Sequence, residues 1–346
     1  MKFNHHLKFR FFISDHFIFA GLFLIFALTG CSQSLPKATD PLLGKIIDSK
    51  TGKSLSKADL IGRLSGYEII YLGEKHDNRH HHEIQEELIQ DLIKLGKKPA
   101  IGIELFSVDQ TGYLMEFVMG SSRLHQGLSI PQQARLLRNK LQWERRSDSE
   151  WENYFRFIKI ARKHQLPLFG MDIPQGVVRR ISSVGYENLS AVERMLAPRS
   201  NFNDPVYRDL MYRRFTEAHC GWSNPAHLKK LYQTWQSRNE MMAETIINTL
   251  HNNPKRPIVI ILGGGHAENR MGVYERVLSK TNNLSQVTLG LTEIALNKTD
   301  LPAYLEMEQV GVEISRLPYD YLWFTPRAQD EDPCEKHKKI LSKMKR

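Results

Sequence analysis

The sequence predicts an α/β fold: a mostly parallel central sheet with flanking helices and a helical cap inserted between strands. Three observations carry this prediction. Short apolar runs of β type recur along the chain, stretches with helical spacing alternate with them, and two connections far exceed the length of a simple crossover.

Residues 67–72 (Tyr-Glu-Ile-Ile-Tyr-Leu) read as a first strand and residues 82–95 as the helix after it. Residues 100–105 and 166–171 are the second and third strands. Residues 257–262 (Pro-Ile-Val-Ile-Ile-Leu) are continuously apolar, as in a strand buried on both faces of a parallel sheet, and residues 286–291 are a fifth strand. Helical spacing over residues 151–164 and 228–250 falls in two long insertions, about 106–165 and 174–250, which supply the cap.

The N-terminus reads as an export signal. Lys2, Lys8 and Arg10 precede an uncharged apolar run over residues 17–28, which suits a signal core and is too short to span a bilayer. Leu28, Thr29, Gly30 and Cys31 then have the form of a lipobox. Residues 1–30 are the expected lipoprotein signal peptide, and Cys31 the expected lipidation site. Several acyl chains such as palmitate anchor stably where one does not. Ser32 in place of Asp directs the expectation to the outer membrane, outside the cytoplasm. Residues 31–50 are the expected tether, 51–335 a single domain, and 336–346 a basic tail.

The full chain carries a formal net charge of +10, and 45 basic and 37 acidic side chains follow residue 30. This charge is spread along the chain and forms no stripe, so no nucleic-acid partner is expected. Beyond Cys31 two cysteines remain, Cys220 and Cys334. In an oxidising compartment the pair is either a disulfide or two buried thiols, and the sequence leaves both open.

The polar residues that do not suit a core follow strands. Gly73, Glu74, His76 and Asp77 end the first strand, Glu104 the second and Asp172 the third; Gly263, Gly264, Gly265 and His266 end the fourth. In an open α/β sheet the crevice beyond the strands' carboxyl ends is where ligands bind. The three glycines predict a sharp turn with close backbone approach, and a helix starting at once after them with its amides aimed into the crevice. Arg270 would share a face of that helix with His266. No phosphate-loop pattern follows the glycines, which excludes a nucleotide-binding reading. His80, His81 and His82 read as a solvated polar run, since adjacent helical residues cannot all reach one ion. No metal site is assigned.

These motifs carry a resemblance. Gly73 to Asn78, the Gly-Ile-Glu-Leu-Phe run ending at Phe106, Gly263 to Ala267, Arg270 to Val273, and Tyr321 to Pro326 resemble the ChaN-like haem-binding uptake family of the Tiki superfamily. The likeness covers roughly residues 55–335. It implies haem as bound cargo in iron uptake, a lipid-anchored envelope protein, and a haem-linked homodimer with tyrosine on the iron. An outer-membrane haem receptor is the implied partner. Haem needs an apolar slot, cations for its propionates and an axial Tyr, His, Cys or Met. Tyr207 and Tyr212, in a basic aromatic segment, are the candidate ligands. A second likeness is to the Gly-x-x-His motifs of Tiki-type metalloproteases and to the acid and histidine set of erythromycin-esterase-like hydrolases. It implies a hydrolase using Glu74, His76, Glu104 and His266, with or without a divalent metal. A non-catalytic envelope scaffold, its crevice residues simply bonded to one another, is the third reading.

Overall fold

The computed structural model describes residues 40–120, 127–202, 204–221, 224–253, 256–281, 283–295, 298, 300–306, 309–310, 312–313, 316–329 and 334–335. Residues 40–346 cluster as one unit, apart from residues 1–39. The expected signal peptide, Cys31, the first part of the tether and the basic tail over 336–346 lie outside the described residues.

The chain opens with β1 (Ile46–Asp48), β2 (Lys53–Leu55), α1 (Lys57–Leu64), β3 (Ile69–Glu74), α2 (Arg79–Lys94) and β4 (Ala100–Ser107). The first insertion holds α3 (Thr111–Met119), α4 (Ile130–Lys140) and α5 (Asp148–His164), and β5 (Leu168–Asp172) follows. The second holds α6 (Gln175–Val184), α7 (Ala191–Met195), α8 (Pro205–Ala218) and α9 (Pro225–Asn252). Then come β6 (Ile258–Gly263), α10 (Val273–Lys280), β7 (Gln286–Glu293), α11 (Leu301–Leu305), β8 (Gln309–Val310), β9 (Val312–Glu313) and β10 (Tyr321–Thr325).

Eight strands form one sheet in the order β2-β1-β10-β7-β3-β6-β4-β5, and β8 pairs with β9 separately. From β10 to β5 every pairing is parallel; β1 and β2 add to the β10 edge antiparallel. The expected parallel α/β sheet is therefore observed, and all five expected strands lie in it. β1, β2 and β10, at one side of the sheet, carried too little pattern to be read. Ile46–Asp48, assigned to the tether, pairs with β10 instead, because Ile46 and Ile47 are buried at 4% and 3% exposure.

Each face of the sheet buries its own core. Ile70, Leu72, Ile101 and Ile103 face α1 to α5, while Ile69, Tyr71, Ile258 and Ile260 face α9 and α10. The insertion after β5 adds two smaller clusters, one of α8 with the first half of α9 around Tyr207 and Tyr232, one around Ile173, Val177 and Leu189. Cys220 and Cys334 are bonded, with their Cα atoms 5.4 Å apart. The bridge closes a separation of 114 residues, worth about 4–5 kcal/mol in the chain-entropy account.

Two glycines make opposite predictions. A Cβ on Gly170 in β5 would stand 2.3 Å from the Ser107 carbonyl oxygen, backbone that cannot step aside. Gly62 in α1 has open space around it. Gly170→Ala should lose about 3 kcal/mol of stability in urea unfolding, whereas Gly62→Ala should gain about 0.5–1 kcal/mol. Equal effects would contradict the packing described.

Candidate functional site

Because β3, β6, β4 and β5 are parallel neighbours, their carboxyl ends meet along one edge. Glu74 at the end of β3 stands opposite Gly263 at the end of β6. Glu74 and Glu104 lie on opposite faces of the sheet. Glu74 follows Ile70 and Leu72 onto the α2–α5 face, and Glu104 points to the α9 face, where it meets Arg238.

On the first face Oε1 of Glu74 accepts from His76 Nδ1 at 2.8 Å and, in a very short bond, from the Tyr154 hydroxyl. Nδ1 of His82 lies 3.2 Å from the other oxygen, and His82 Nε2 donates to the His76 carbonyl at 3.0 Å. On the second face Arg238 Nη2 donates to Glu104 at 2.7 Å, while its Nε donates to both oxygens of Asp172 at 3.1 and 2.9 Å. Oε2 of Glu104 accepts from the Gly263 amide at 2.6 Å, and His266 Nε2 lies 3.3 Å from Oε1. His266 Nδ1 donates to Asn239 Oδ1 at 2.6 Å, and the ring stacks on Trp235 at 3.7 Å. His76 joins the two halves, with Nε2 3.8 Å from Glu104.

Burial alone would raise both carboxyls. The His82 and His76 imidazoles hold Glu74 below the usual range, and His266 and Arg238 hold Glu104 well below it. Burial also lowers His76, but Glu74 and Glu104 outweigh it and raise the imidazole to about 9. Its ring keeps 42% exposure, whereas those of His82 and His266 are buried. His76 is thus a cation at neutral pH, a proton donor and not a base. Burial lowers His266. Tyr154 is raised well above its ordinary value by burial and by Glu74, which keeps its proton on the phenol.

Glu74, His76, Glu104, Asp172 and His266 therefore come together as expected, and Asp77 and Arg270 do not. Asp77 pairs with Lys75 and Gln329 on the surface. Arg270 binds Asp320 in a very short contact and shares no face with His266. The expected helix after the glycines is instead two single 3-10 turns, Gly264–His266 and Glu268–Arg270, with positive φ at Asn269 and Arg270. α10 begins only at Val273. The glycines serve close approach rather than a left-handed turn. A Cβ on Gly263 would lie 3.0 Å from His76 Nε2, and one on Gly264 2.6 Å from the Tyr319 hydroxyl. A Cβ on Gly73 would lie 3.2 Å from both Gly264 and the Tyr319 ring.

The solvated reading of His80–His82 holds only for His80. His81 and His82 are fully buried because their face of α2 turns to the sheet. His81 Nδ1 accepts from the Lys75 amide and Nε2 donates to Thr325 Oγ1, both at 2.9 Å. The reading also missed Tyr154, Arg238, Asn239 and Trp235. Trp235 and Asn239 continue the stripe of Met242, Ala243 and Ile246 on α9. A charge beside a buried stripe was the available signal.

Of the two candidate iron ligands, Tyr207 is 2% exposed and its hydroxyl accepts from Trp235 Nε1 at 2.7 Å. Tyr212 is half-buried, edge-on to Tyr232.

The sequence profile of the family described as haem-binding uptake, Tiki superfamily, ChaN matches residues 60–277. The chain belongs to this family. A ChaN family domain thus spans β3 to α10, the whole of the crevice. Among solved structures, cofacial haem-bound ChaN of Campylobacter jejuni superposes with a TM-score of 0.59 at 16% identity, covering 80% of this chain and 95% of that one. An erythromycin esterase, EreC, in its open conformation gives a TM-score of 0.41 at 13% identity over 68% of this chain and 72% of its own. The type III effector HopBA1 gives 0.41 at 11% identity over 77% and 91%. No curated protein matches the sequence.

The strand-end cluster does not fit haem: its ring nitrogens and its arginine already face carboxylates, amides or carbonyls. Among the described residues no three His, Cys, Asp or Glu side chains are grouped to hold a metal ion, so the metal alternative finds no support.

Two outcomes follow. His81 is lowered by burial to about 4, against an ordinary 6.5. The unfolded chain then binds a proton that the fold rejects, so stability falls as pH drops from about 6.5 to about 4, by on the order of 3 kcal/mol. Urea unfolding across that range should show a shallower acid-side loss in His81→Gln than in the parent. Removing Arg238 strands two buried carboxylates, so Arg238→Met should cost about 3–5 kcal/mol. The double variant with Asp172→Asn should recover part of it.

Proposed function

We propose that this protein is a lipid-anchored haem-binding protein of haem and iron uptake, held at the outer membrane through Cys31. The observation that carries the reading is the ChaN family profile over residues 60–277. The lipobox at Leu28 to Cys31 supports the anchor. A haem-linked homodimer and delivery to an outer-membrane receptor belong to the same reading. The crevice is then a pin for the four strand ends.

One observation favours a second reading, hydrolysis. The His76 imidazole is 42% exposed between two buried carboxylates, and raised to about 9 it could protonate a leaving group.

Haemin titration of the protein starting at Cys31 should give a shifted Soret band that saturates at a fixed stoichiometry. His76→Ala should leave that titration unchanged. No shift at micromolar haemin would sink the uptake reading. Ester or peptide turnover that vanishes in His76→Ala would favour the hydrolase.

A further inference from the structure

Helix α7 turns its apolar side chains outward. Val192, Met195 and Leu196 share one face at helical spacing, and they are 67%, 82% and 38% exposed. The segment is held in place. A capping box between Ser190 and Glu193 closes its first turn, and Arg180 on α6 donates to Glu193 at 2.9 Å. Leu189 before it and Ala197 after it are buried in one cluster with Ile181. The Tyr186 hydroxyl donates to the Ala197 carbonyl at 3.0 Å. Both flanks are thus fixed while three apolar side chains between them meet solvent, the mark of a contact surface.

Charge says what covers that surface. Arg194 donates to the Glu187 carbonyl at 3.1 Å, and among the described residues neither it nor Arg199 has a carboxylate within ion-pair distance. At the base of α7 a groove of 430 Å³ opens between Tyr186, Arg199, Asn201 and Phe202 on one side and Tyr232 and Ser237 of α9 on the other. Ser237 is 2% exposed, and its hydroxyl bonds to no described residue. Glu187 also lines the groove, but both its oxygens accept from Gln233. An apolar tip, unpaired arginines beside it and a polar groove at its base match the layers of an anionic bilayer, acyl carbon below and phosphate above.

Position agrees. The chain enters the body at the carboxyl edge of the sheet, where the Gly44 amide donates to the Phe324 carbonyl, near the end of β10, at 3.0 Å. Arg238 marks the same edge on α9 through Glu104 and Asp172. Ser183 and Tyr186 meet α9 at Lys230 and Gln233, more than a turn farther out. The segment that carries α7 therefore stands beyond the edge at which the body begins. At most about 30 Å of chain separates Asp40 from Cys31.

We propose that α7 and this groove form a membrane contact. Val192, Met195 and Leu196 enter the headgroup layer of an anionic bilayer, and Arg199 and Ser237 hold a phospholipid phosphate. The assignment rests on the lipid-anchored part of the reading above and adds to it the face that the body lays on the membrane.

The test uses the chain from Cys31 without acyl groups. The vesicles are phosphatidylcholine alone or an equal mixture with phosphatidylglycerol. The parent should sediment with excess mixed vesicles, about tenfold more tightly than with phosphatidylcholine, and should come off as salt rises. Val192→Ser/Met195→Ser should bind both about tenfold more weakly, and Arg199→Gln should lose the preference for the mixture. Met195→Trp should add fluorescence that brominated acyl chains quench. Thermal unfolding of these variants should equal the parent's, since the replaced side chains are exposed. A parent that stays in the supernatant, or variants that bind as the parent does, overturns the contact. A dimer in vesicle-free sedimentation velocity that the serine pair dissolves also overturns it and gives the patch to a second copy. The anchor has its own readout, palmitate incorporation that Cys31→Ala abolishes. A labelled protein whose α7 ignores vesicles keeps the anchor and loses the contact; a chain that incorporates no palmitate overturns both.

Discussion

The structure depends on neutralising the carboxylates that the parallel sheet buries at its own carboxyl edge, Glu74 and Glu104 above all, with Asp172 beside them. Glu74 and Glu104 sit on opposite faces, 5% and 2% exposed. Left alone, either charge would be expelled from the interior or protonated. Each face therefore supplies its own partners: α2 and α5 bring His82 and Tyr154, and α9 brings Arg238 and His266's partner Asn239. His76 spans the edge between them. The helices on both faces are thereby registered against the same four strand ends.

That registry explains the glycines. Tyr319 lies against Gly73, Gly264 and Gly290, and a Cβ on Gly290 would stand 2.3 Å from its ring. Gly272 has φ of +66° and faces the His266 carbonyl at 2.4 Å from where a Cβ would be. The backbone after β6 is thus pressed between a tyrosine and an imidazole, which leaves no room for a regular helix there. Two 3-10 turns replace it.

Much of this was legible in the sequence, and the parts that were not share a cause. Buried parallel strands announce themselves as apolar runs, so β3 to β7 could be read. β1, β2 and β10 are elements of 3 to 5 residues at one side of the sheet, and β1 finds its place only by pairing with β10 far along the chain. Residues at strand ends could be read because the sheet fixes where they go. Arg238 and His82 come from helices, where the side facing the site depends on how the helix docks. A polar residue on a half-apolar helix looks the same whether it faces water or a buried carboxylate. Arg270 failed in the other direction: its distance from His266 has meaning only on a continuous helix, and the glycines prevent one.

A buried ion network of this kind is weak evidence for stability, since well-packed apolar side chains of equal volume often do as well. What it supplies is position. Arg238 holds Asp172 through Nε and Glu104 through Nη2, so two strand ends and one helix share a single planar group. Asp172 also lines an 840 Å³ cleft between the carboxyl ends of β4 and β5 and the start of α6. The carboxylate that fixes α9 over the sheet thus forms part of the cleft wall. The strand-end cluster thereby sets the geometry of that wall as well as the docking of α9.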